Sequence, residues 1–307
     1  MIQELEIKNF RCLRSVQVGL RPLTILVGPN DTGKSAFLHA IRYCMEETSL
    51  GPFDAWRHVR PLEVLVRRVT DDGVAKRGYR PDGHTAFPVA FFQLPSTGVP
   101  MNCPGVSDDA GPPALKKNGE NVPALLDYVY RRDRDRFDAF VAALKSLVPG
   151  LEKVEVRTPS APERRVDVVI EDRFSLPADY ASVGLRLILF FAALAYHPTP
   201  PGTILIEEPE NGVHPKRLGE IMRLLREVTQ GTHGGRAAQV ILTTHSPHLL
   251  DYVDIEKDQV LVFRREPDGS RTAEPADAER LKTFLDEFML GEVWYNEGEE
   301  GLVRPAK

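Results

Sequence analysis

Residues 28–35 read GPNDTGKS: a glycine, four residues, a second glycine, then lysine and serine. This is the spacing of a phosphate-binding loop. A strand-like run, LTILV at residues 23–27, leads into it, and a helix-like run at residues 36–45 leads out. Strand, glycine loop and helix in that order turn a short match into a mechanism. Gly28 and Gly33 let the loop curl so that backbone N–H groups converge on an anion, and the following helix points its positive end at the same place. Lys34 is the candidate contact to the β- and γ-phosphates, and the Ser35 hydroxyl is the candidate Mg²⁺ ligand. A nucleotide's phosphates and Mg²⁺ are therefore the expected ligands.

A second stretch, ILIEEPENGVHP at residues 204–215, runs three apolar β-formers into two adjacent carboxylates, Glu207 and Glu208. An aliphatic strand of this kind is normally buried on both faces, so charges at its end sit at the carboxyl edge of the sheet, where open α/β sheets place ligands. Taken alone, the stretch fits an exposed acidic turn as well as a metal site.

Composition agrees with a nucleotide-binding globular chain. The 307 residues leave room for one large α/β domain with a lobe, or for two domains. Lys and Arg total 39 against 44 Asp and Glu, a net charge of −5, so the chain as a whole does not advertise nucleic-acid affinity, although a local basic face is compatible with that balance. Its three cysteines, Cys12, Cys44 and Cys103, lack paired spacing, which argues against a disulfide framework or a zinc site and for a cytoplasmic setting. The longest apolar run, residues 187–195, falls short of the roughly 20 residues a spanning helix needs, so no membrane partner is expected. RRDRDRFD, residues 131–138, interleaves charges within a helical pattern and reads as a solvated helix face in preference to a phosphate contact.

Coarsely, residues 2–10 and 15–20 alternate like antiparallel strands ahead of the loop. Residues 62–69 and 87–92 are strand-like, residues 95–113 form a Pro- and Gly-rich loop, and residues 124–148 are helical. Two further strands, residues 154–157 and 166–171, precede the buried apolar helix. Strand and helix then alternate: strands at residues 203–206, 240–243 and 259–263 enclose a helix at residues 216–228, as in a parallel sheet with helices on both faces. The expected fold class is α/β: a mostly parallel core flanked by helices, with an N-terminal antiparallel β lobe and a helical and β insertion lobe. Residues 1–50 and 180–290 form the expected core, 51–179 the insertion, and 291–307 a frayed tail.

Two smaller motifs connect these pieces. ASVGLR, residues 181–186, places Ser182 and Gly184 at a helix start, where a hydroxyl and uncrowded amides suit an anion; Ser is equally a good N-cap. TTHSP, residues 243–247, puts His245 just past a strand end, where it suits either a γ-phosphate contact or a capped strand-to-helix turn.

In this order the four pieces resemble the ATPase heads of the ABC superfamily, and more narrowly its RecF, SMC and OLD-like group, which are P-loop NTPases. The opening IQELEIKNFRCLRSVQVGLRPLTILVGPNDTGKSAFLHAI is similar to that group's N-terminal lobe with Walker A, ASVGLR to the signature motif, ILIEE to Walker B, ENGVHP to the D-loop stretch and TTHSP to the switch histidine. EEPENGVHP looks most like OLD-type AAA ATPases and their relatives in antiviral defence. Three departures stand out. Glu207 occupies the usual Walker B Asp position, His214 stands where transporter D-loops carry Asp, and about 60 residues follow TTHSP, too few for the Toprim nuclease of OLD proteins.

The resemblance implies a homodimer that sandwiches ATP, each phosphate loop facing Ser182 and Gly184 of the other protomer. Glu208 is then the candidate general base, Glu207 a metal support and His245 a γ-phosphate sensor. Gln93 is a candidate Q-loop metal ligand, against the ordinary alternative of a loop residue at a strand end. Arg11 and Asn30 are candidates to flank the nucleotide, or structural residues. The expected function is an ATPase that switches a DNA-related act, in phage defence or DNA repair, by itself or through a separately encoded effector such as a nuclease. The alternative is a slowly hydrolysing, nucleotide-gated scaffold for a protein partner. A transporter motor fits less well.

Overall fold

Three short strands form the core because, apart from Gln239 at the start of one and Glu207 at the end of another, every residue in them is apolar or β-branched and buried. They are β3 (Leu23–Val27), β11 (Thr203–Glu207) and β12 (Gln239–Thr244). Burial on both faces is what a parallel sheet covered by helices demands. The computed structural model describes residues 1–45, 63–70, 73–78, 89–107, 109–171, 174–285 and 287–303. Leu62, Phe87 and Pro88, at the starts of two expected strands, lie outside them.

The first of two compact units comprises Met1–Phe91, Pro201–Glu208 and Gln239–Lys307. Around β3 and its partners it gathers β1 (Ile2–Phe10), β2 (Leu13–Gly19), β4 (Glu63–Thr70), β5 (Gly73–Gly78), β13 (Gln259–Arg265) and β14 (Arg271–Pro275), and it takes up the start of β6 (Val89–Gln93). The sheet order is β5-β4-β1-β2-β14-β13-β3-β12-β11-β6. β13, β3, β12 and β11 run parallel as neighbours, while β5, β4, β1 and β2 form an antiparallel arm. β1 buries Ile2, Leu5, Ile7 and Phe10. The break in period two after Ile2 follows from a register shift between Ile2 and Glu4, since one extra residue flips the pleat. The buried amide of Gln239 anchors the start of β1: its oxygen accepts from the Ile2 N–H at 2.7 Å and its nitrogen donates to the Ile2 carbonyl at 2.8 Å. Helix α1 (Lys34–Met45) packs Phe37 and Ile41 into this core.

Residues 291–302 of the expected tail lie in α8 (Leu290–Leu302), a helical stretch broken at Gly298, φ +66°, which buries Val293, Trp294 and Leu302; residues 304–307 of that tail lie outside the described residues. Before that break Leu290, Val293 and Trp294 recur at helical spacing, and the Gly-Glu composition that suggested a tail hides that stripe. Two short helices, α6 (Pro247–Leu250) and α7 (Ala278–Leu285), accompany it.

The second unit comprises Phe92–Pro200 and Pro209–Ala238. Its small antiparallel sheet centres on β9 (Glu163–Ile170), with β8 (Leu151–Arg157) along one edge and β7 (Asn102–Pro104) and β10 (Leu176–Pro177) along the other. Helices α2 (Val122–Arg132) and α3 (Arg134–Leu147) replace the single helical section expected from sequence. Asp133 separates them, ending the first and capping the second by accepting from the Arg136 N–H. Helix α4 (Val183–Ala195) is apolar all round and buries every residue from Leu187 to Ala195, as a central core helix does. The amphipathic α5 (Leu218–Gln230) covers it and ends at Gly231, φ +65°, where glycine accepts the left-handed turn without penalty. Among the described residues no helix is long and apolar enough to cross a membrane.

His197, 2 % exposed, sits just beyond α4 and is satisfied as a neutral ring: Nδ1 accepts from the Thr199 N–H at 3.1 Å, and Nε2 lies 3.1 Å from the Pro113 carbonyl. Burial holds its pKa below the ordinary imidazole value, with Arg136 adding a smaller push in the same direction. The unfolded chain therefore takes up a proton near pH 6.5 that the folded chain takes up only at lower pH. Stability is expected to fall by up to about 1.4 kcal/mol per pH unit as pH drops below about 6.5. Urea unfolding between pH 7 and 5.5 should show this slope, flattened in His197→Phe.

Candidate functional site

The parallel strands end together. Register pairs Glu207 of β11 with Thr243 of β12, and Thr244 of β12 with Val27 of β3. The next residues along the three chains are Glu208, His245 and Gly28, so one sheet edge collects the acidic pair, the histidine and the glycine loop. Carboxyl edges of parallel sheets are where this fold class holds ligands.

The loop is shaped as the sequence requires. Gly28 has φ +147°, and a Cβ there would lie 2.4 Å from the Phe263 carbonyl oxygen; Gly33 has φ +100°, with the Leu13 and Cys12 side chains crowding the same position. Asp31 also takes a left-handed conformation, φ +62°. Thr32 Oγ donates to the Pro29 carbonyl at 2.7 Å. Lys34, 6 % exposed, donates Nζ–H to the carbonyls of Gly28 at 2.6 Å and Pro29 at 2.8 Å. A buried ammonium needs such partners, and these bonds hold it inside the curl of the loop.

A hollow of about 650 Å³ opens over the loop, lined by Asn30, Asp31, Thr32, Gly33, Lys34, Ser35, Cys12, Glu208 and Arg271 among others. Glu208 is held in an uncommon way. Its φ is +46°, costly for a side chain with a Cβ, and its N–H donates to the Thr243 carbonyl at 3.1 Å and lies 3.2 Å from Thr243 Oγ. This kink turns Glu208 off the line of β11 and into the hollow. One carboxylate oxygen lies 3.2 Å from His245 Nδ1. With side chains 43 % and 33 % exposed, that pair adds at most about 1 kcal/mol to stability, so its interest lies in position. Glu207, half-buried, is the last residue of β11.

Sequence reasoning missed Arg271. It begins β14, and its Nε donates to the Asp31 carbonyl at 2.6 Å while Nη1 donates to the Gly269 carbonyl at 2.6 Å, so it braces the outside of the loop and lines the hollow. No motif surrounds it; its pairings with Leu13 of β2 and Arg265 of β13 in the sheet bring it there. Arg11 does not line the hollow. It has φ +49° in the turn between β1 and β2, lies over the rings of Phe10 and Tyr43, and donates to the Tyr43 hydroxyl at 3.4 Å.

Ser182, Gly184 and Gln93 belong to the second unit and are not among the lining residues. Ser182 caps α4, its hydroxyl accepting from the Leu185 N–H at 3.3 Å. Gly184, in the first turn, has, among the described residues and beyond its own stretch of helix, no atom within 4 Å of where a Cβ would stand. Gln93 ends β6, exposed, its backbone N–H bound to the Lys117 carbonyl.

Among the described residues no three His, Cys, Asp or Glu side chains cluster to hold a metal by themselves. The donor set fits Mg²⁺ in its usual manner, one hydroxyl and one or two carboxylates completed by phosphate oxygens and water. Ser35, Glu207 and Glu208 are among the residues of that type at this edge, with Asp31 and Thr32 also lining the hollow.

Residues 1–73 match the family described as "AAA ATPase domain", and residues 107–251 the one described as "AAA domain, putative AbiEii toxin, Type IV TA system". An OLD nuclease of Thermus scotoductus is 23% identical over 95% of this chain and 68% of its own length. The Old nuclease of Escherichia phage P2 is 33% identical over 23% of this chain and 12% of its own length. Among solved structures, an SMC head bound to the C-winged helix domain of ScpA aligns with TM-score 0.62 at 13% identity, covering 92% of this chain and 99% of that one. The SMC head domain from Thermotoga maritima aligns with TM-score 0.55 at 16% identity, covering 90% and 99%. The solved structures bear on the fold, which is that of an SMC-type P-loop head. With the sequence matches they support an ATPase head of the ABC, SMC and OLD-like group.

Gly28→Ala should be the most damaging single methyl in the loop, because it meets a backbone oxygen that cannot rotate away. Thermal unfolding is expected to show a loss of about 2 kcal/mol or more, with fluorescent-nucleotide binding lost in parallel.

Proposed function

We propose that this ABC/SMC/OLD-like head binds ATP with Mg²⁺ over the Gly28–Ser35 loop and hydrolyses it with Glu208 as general base. The observation that carries this reading is the placement of Glu208: its kinked backbone aims a carboxylate into the hollow lined by Lys34 and Ser35. Lys34 exchanges its loop carbonyls for the β- and γ-phosphates, and the loop amides surround the same oxygens. Arg271 adds a second cation beside the loop. Ser35, with support from Glu207, would hold Mg²⁺, which when bound would offset charge developing on the phosphates. Glu208 orients water for in-line attack, and His245, bonded to that carboxylate, contacts the γ-phosphate side.

The active form is a homodimer in which Ser182, Gly184 and the α4 N-terminus of one protomer close the site of the other. Gly184 supports this reading. Glycine within a helix costs about 1 kcal/mol relative to alanine, yet among the described residues nothing occupies the place of its missing side chain. A close approach from outside gives that glycine a purpose. Gln93 stands as a metal-ligand candidate from the same unit. The switch serves a DNA-directed act, in phage defence or DNA repair, through a separately encoded effector such as a nuclease; the OLD nuclease relatives support that direction.

Glu208→Gln is expected to retain ATP affinity, prolong the ATP-bound dimer in sedimentation and cut phosphate release at least about 100-fold; unchanged turnover would remove Glu208 from its role. Gly184→Ala offers a test with opposed signs. Urea unfolding should show a protein more stable by about 1 kcal/mol, while steady-state hydrolysis falls. Mixed with a Lys34→Ala partner, it should reproduce the activity of a single intact composite site. A Gly184→Ala protein that hydrolyses normally would rule out the sandwich.

A further inference from the structure

We propose that a trough between β8 and α3 takes up an extended, acidic peptide segment of a partner protein, which joins the open edge of β8 as a fifth strand. The trough, about 400 Å³, lies wholly within the second unit. Its lining comes from two elements. From α3 come Arg134, Phe137, Asp138, Val141 and Lys145, whose spacing places them on one face of that helix. From β8 comes every residue from Glu152 to Arg157. Successive strand residues point to opposite faces of a sheet, so a hollow lined by six in a row runs along the strand's edge and not across a face.

That edge is open. Among the described residues β8 pairs with β9 alone, and alternate N–H and C=O groups of an edge strand project away from its partner. Strand edges in this condition are templates for an added chain, and a neighbouring helix supplies the wall that receives its side chains. The floor is apolar, with Phe137 and Val154 buried and Val141 and Val156 half-buried. Tyr130 stands at the rim, 41 % exposed.

Charge selects the occupant. Asp138 is paired with Arg134 at 3.1 Å, and Glu155 with Arg157 at 2.6 Å; Glu152 has a partner of its own. Lys145 and Lys153 are exposed and, among the described residues, their ammonium groups pair with nothing. Two uncompensated cations beside an open strand edge favour carboxylates on the incoming chain, apolar residues between them resting on Val141 and Val156. A basic peptide would meet those lysines directly, and a proline-rich one would lack the N–H groups that the edge requires.

The test uses the full chain and a fluorescein-labelled nonapeptide of alternating Glu and Val, without nucleotide, so its outcome is separate from the ATPase reading. Anisotropy should show saturable binding in the micromolar range, at least about tenfold weaker for the Lys/Val and Glu/Pro counterparts. Hydrogen exchange should slow at amides of residues 152–157. The surface double variant Lys145→Glu/Lys153→Glu should keep its melting temperature and lose at least about tenfold in affinity; Val141→Arg, which fills the trough, should lose it as well. Absence of saturable binding, equal binding of the three peptides, or full affinity in both variants would overturn the proposal. So would a concentration-dependent dimer dispersed by Val141→Arg, which would assign the edge to a second copy of this chain.

Discussion

The candidate site depends on the in-register parallel pairing of β3, β12 and β11. Hydrogen bonds between neighbouring strands align Val27 with Thr244 and Thr243 with Glu207, and since all three strands run the same way, the residues after them emerge at one edge. Glu208 and the loop at Gly28 are 180 residues apart in the chain, yet they line one hollow. A slip of one residue in either pairing would carry the carboxylate to the other face of the sheet. The all-buried character of these strands makes that slip costly, because every position is committed to a packed surface.

Within that frame the site stores conformational strain where chemistry needs direction. Glu208 and Asp31 sit in left-handed backbone conformations that residues with a Cβ seldom adopt, at a cost of about 1–3 kcal/mol each. Thr243 fixes the first through the Glu208 N–H, and Arg271 grips the carbonyl of the second. Both supports come from sheet residues that the burial of the core already immobilises. Lys34 illustrates the same economy: its buried ammonium is bonded to loop carbonyls, which hold it inside the curl of the loop.

The second unit follows different physics. It is built around the apolar α4, with α3 and α5 packed on it, and a small sheet whose outer strand is left with one open edge. Gly184 at the start of α4 and the two lysines of the trough, Lys145 on α3 and Lys153 in β8, share one property: among the described residues no contact explains them. Glycine without a steric reason and paired charges interrupted by unpaired ones are features that stability alone does not select.

Much of this was legible in the sequence because the signals are local. The glycine spacing of residues 28–35 needs only a tight turn after a strand, and LTILV, TILI and QVILTT declare buried strands by composition alone. The Ser182 cap and the acidic end of β11 are readable for the same reason. Other features arise from pairing at long range, which no window of sequence contains. Arg271 reaches the loop through a strand pairing across more than 250 residues, α8 reveals its buried stripe only against the body it packs on, and the kink at Glu208 exists because Thr243 is beside it. Sequence determined which residues can make a phosphate cradle and an acidic strand end, since those depend on neighbours along the chain. Tertiary structure alone decided that cradle, carboxylate and guanidinium share one hollow, because hydrogen-bonded register between distant strands sets where each of them ends.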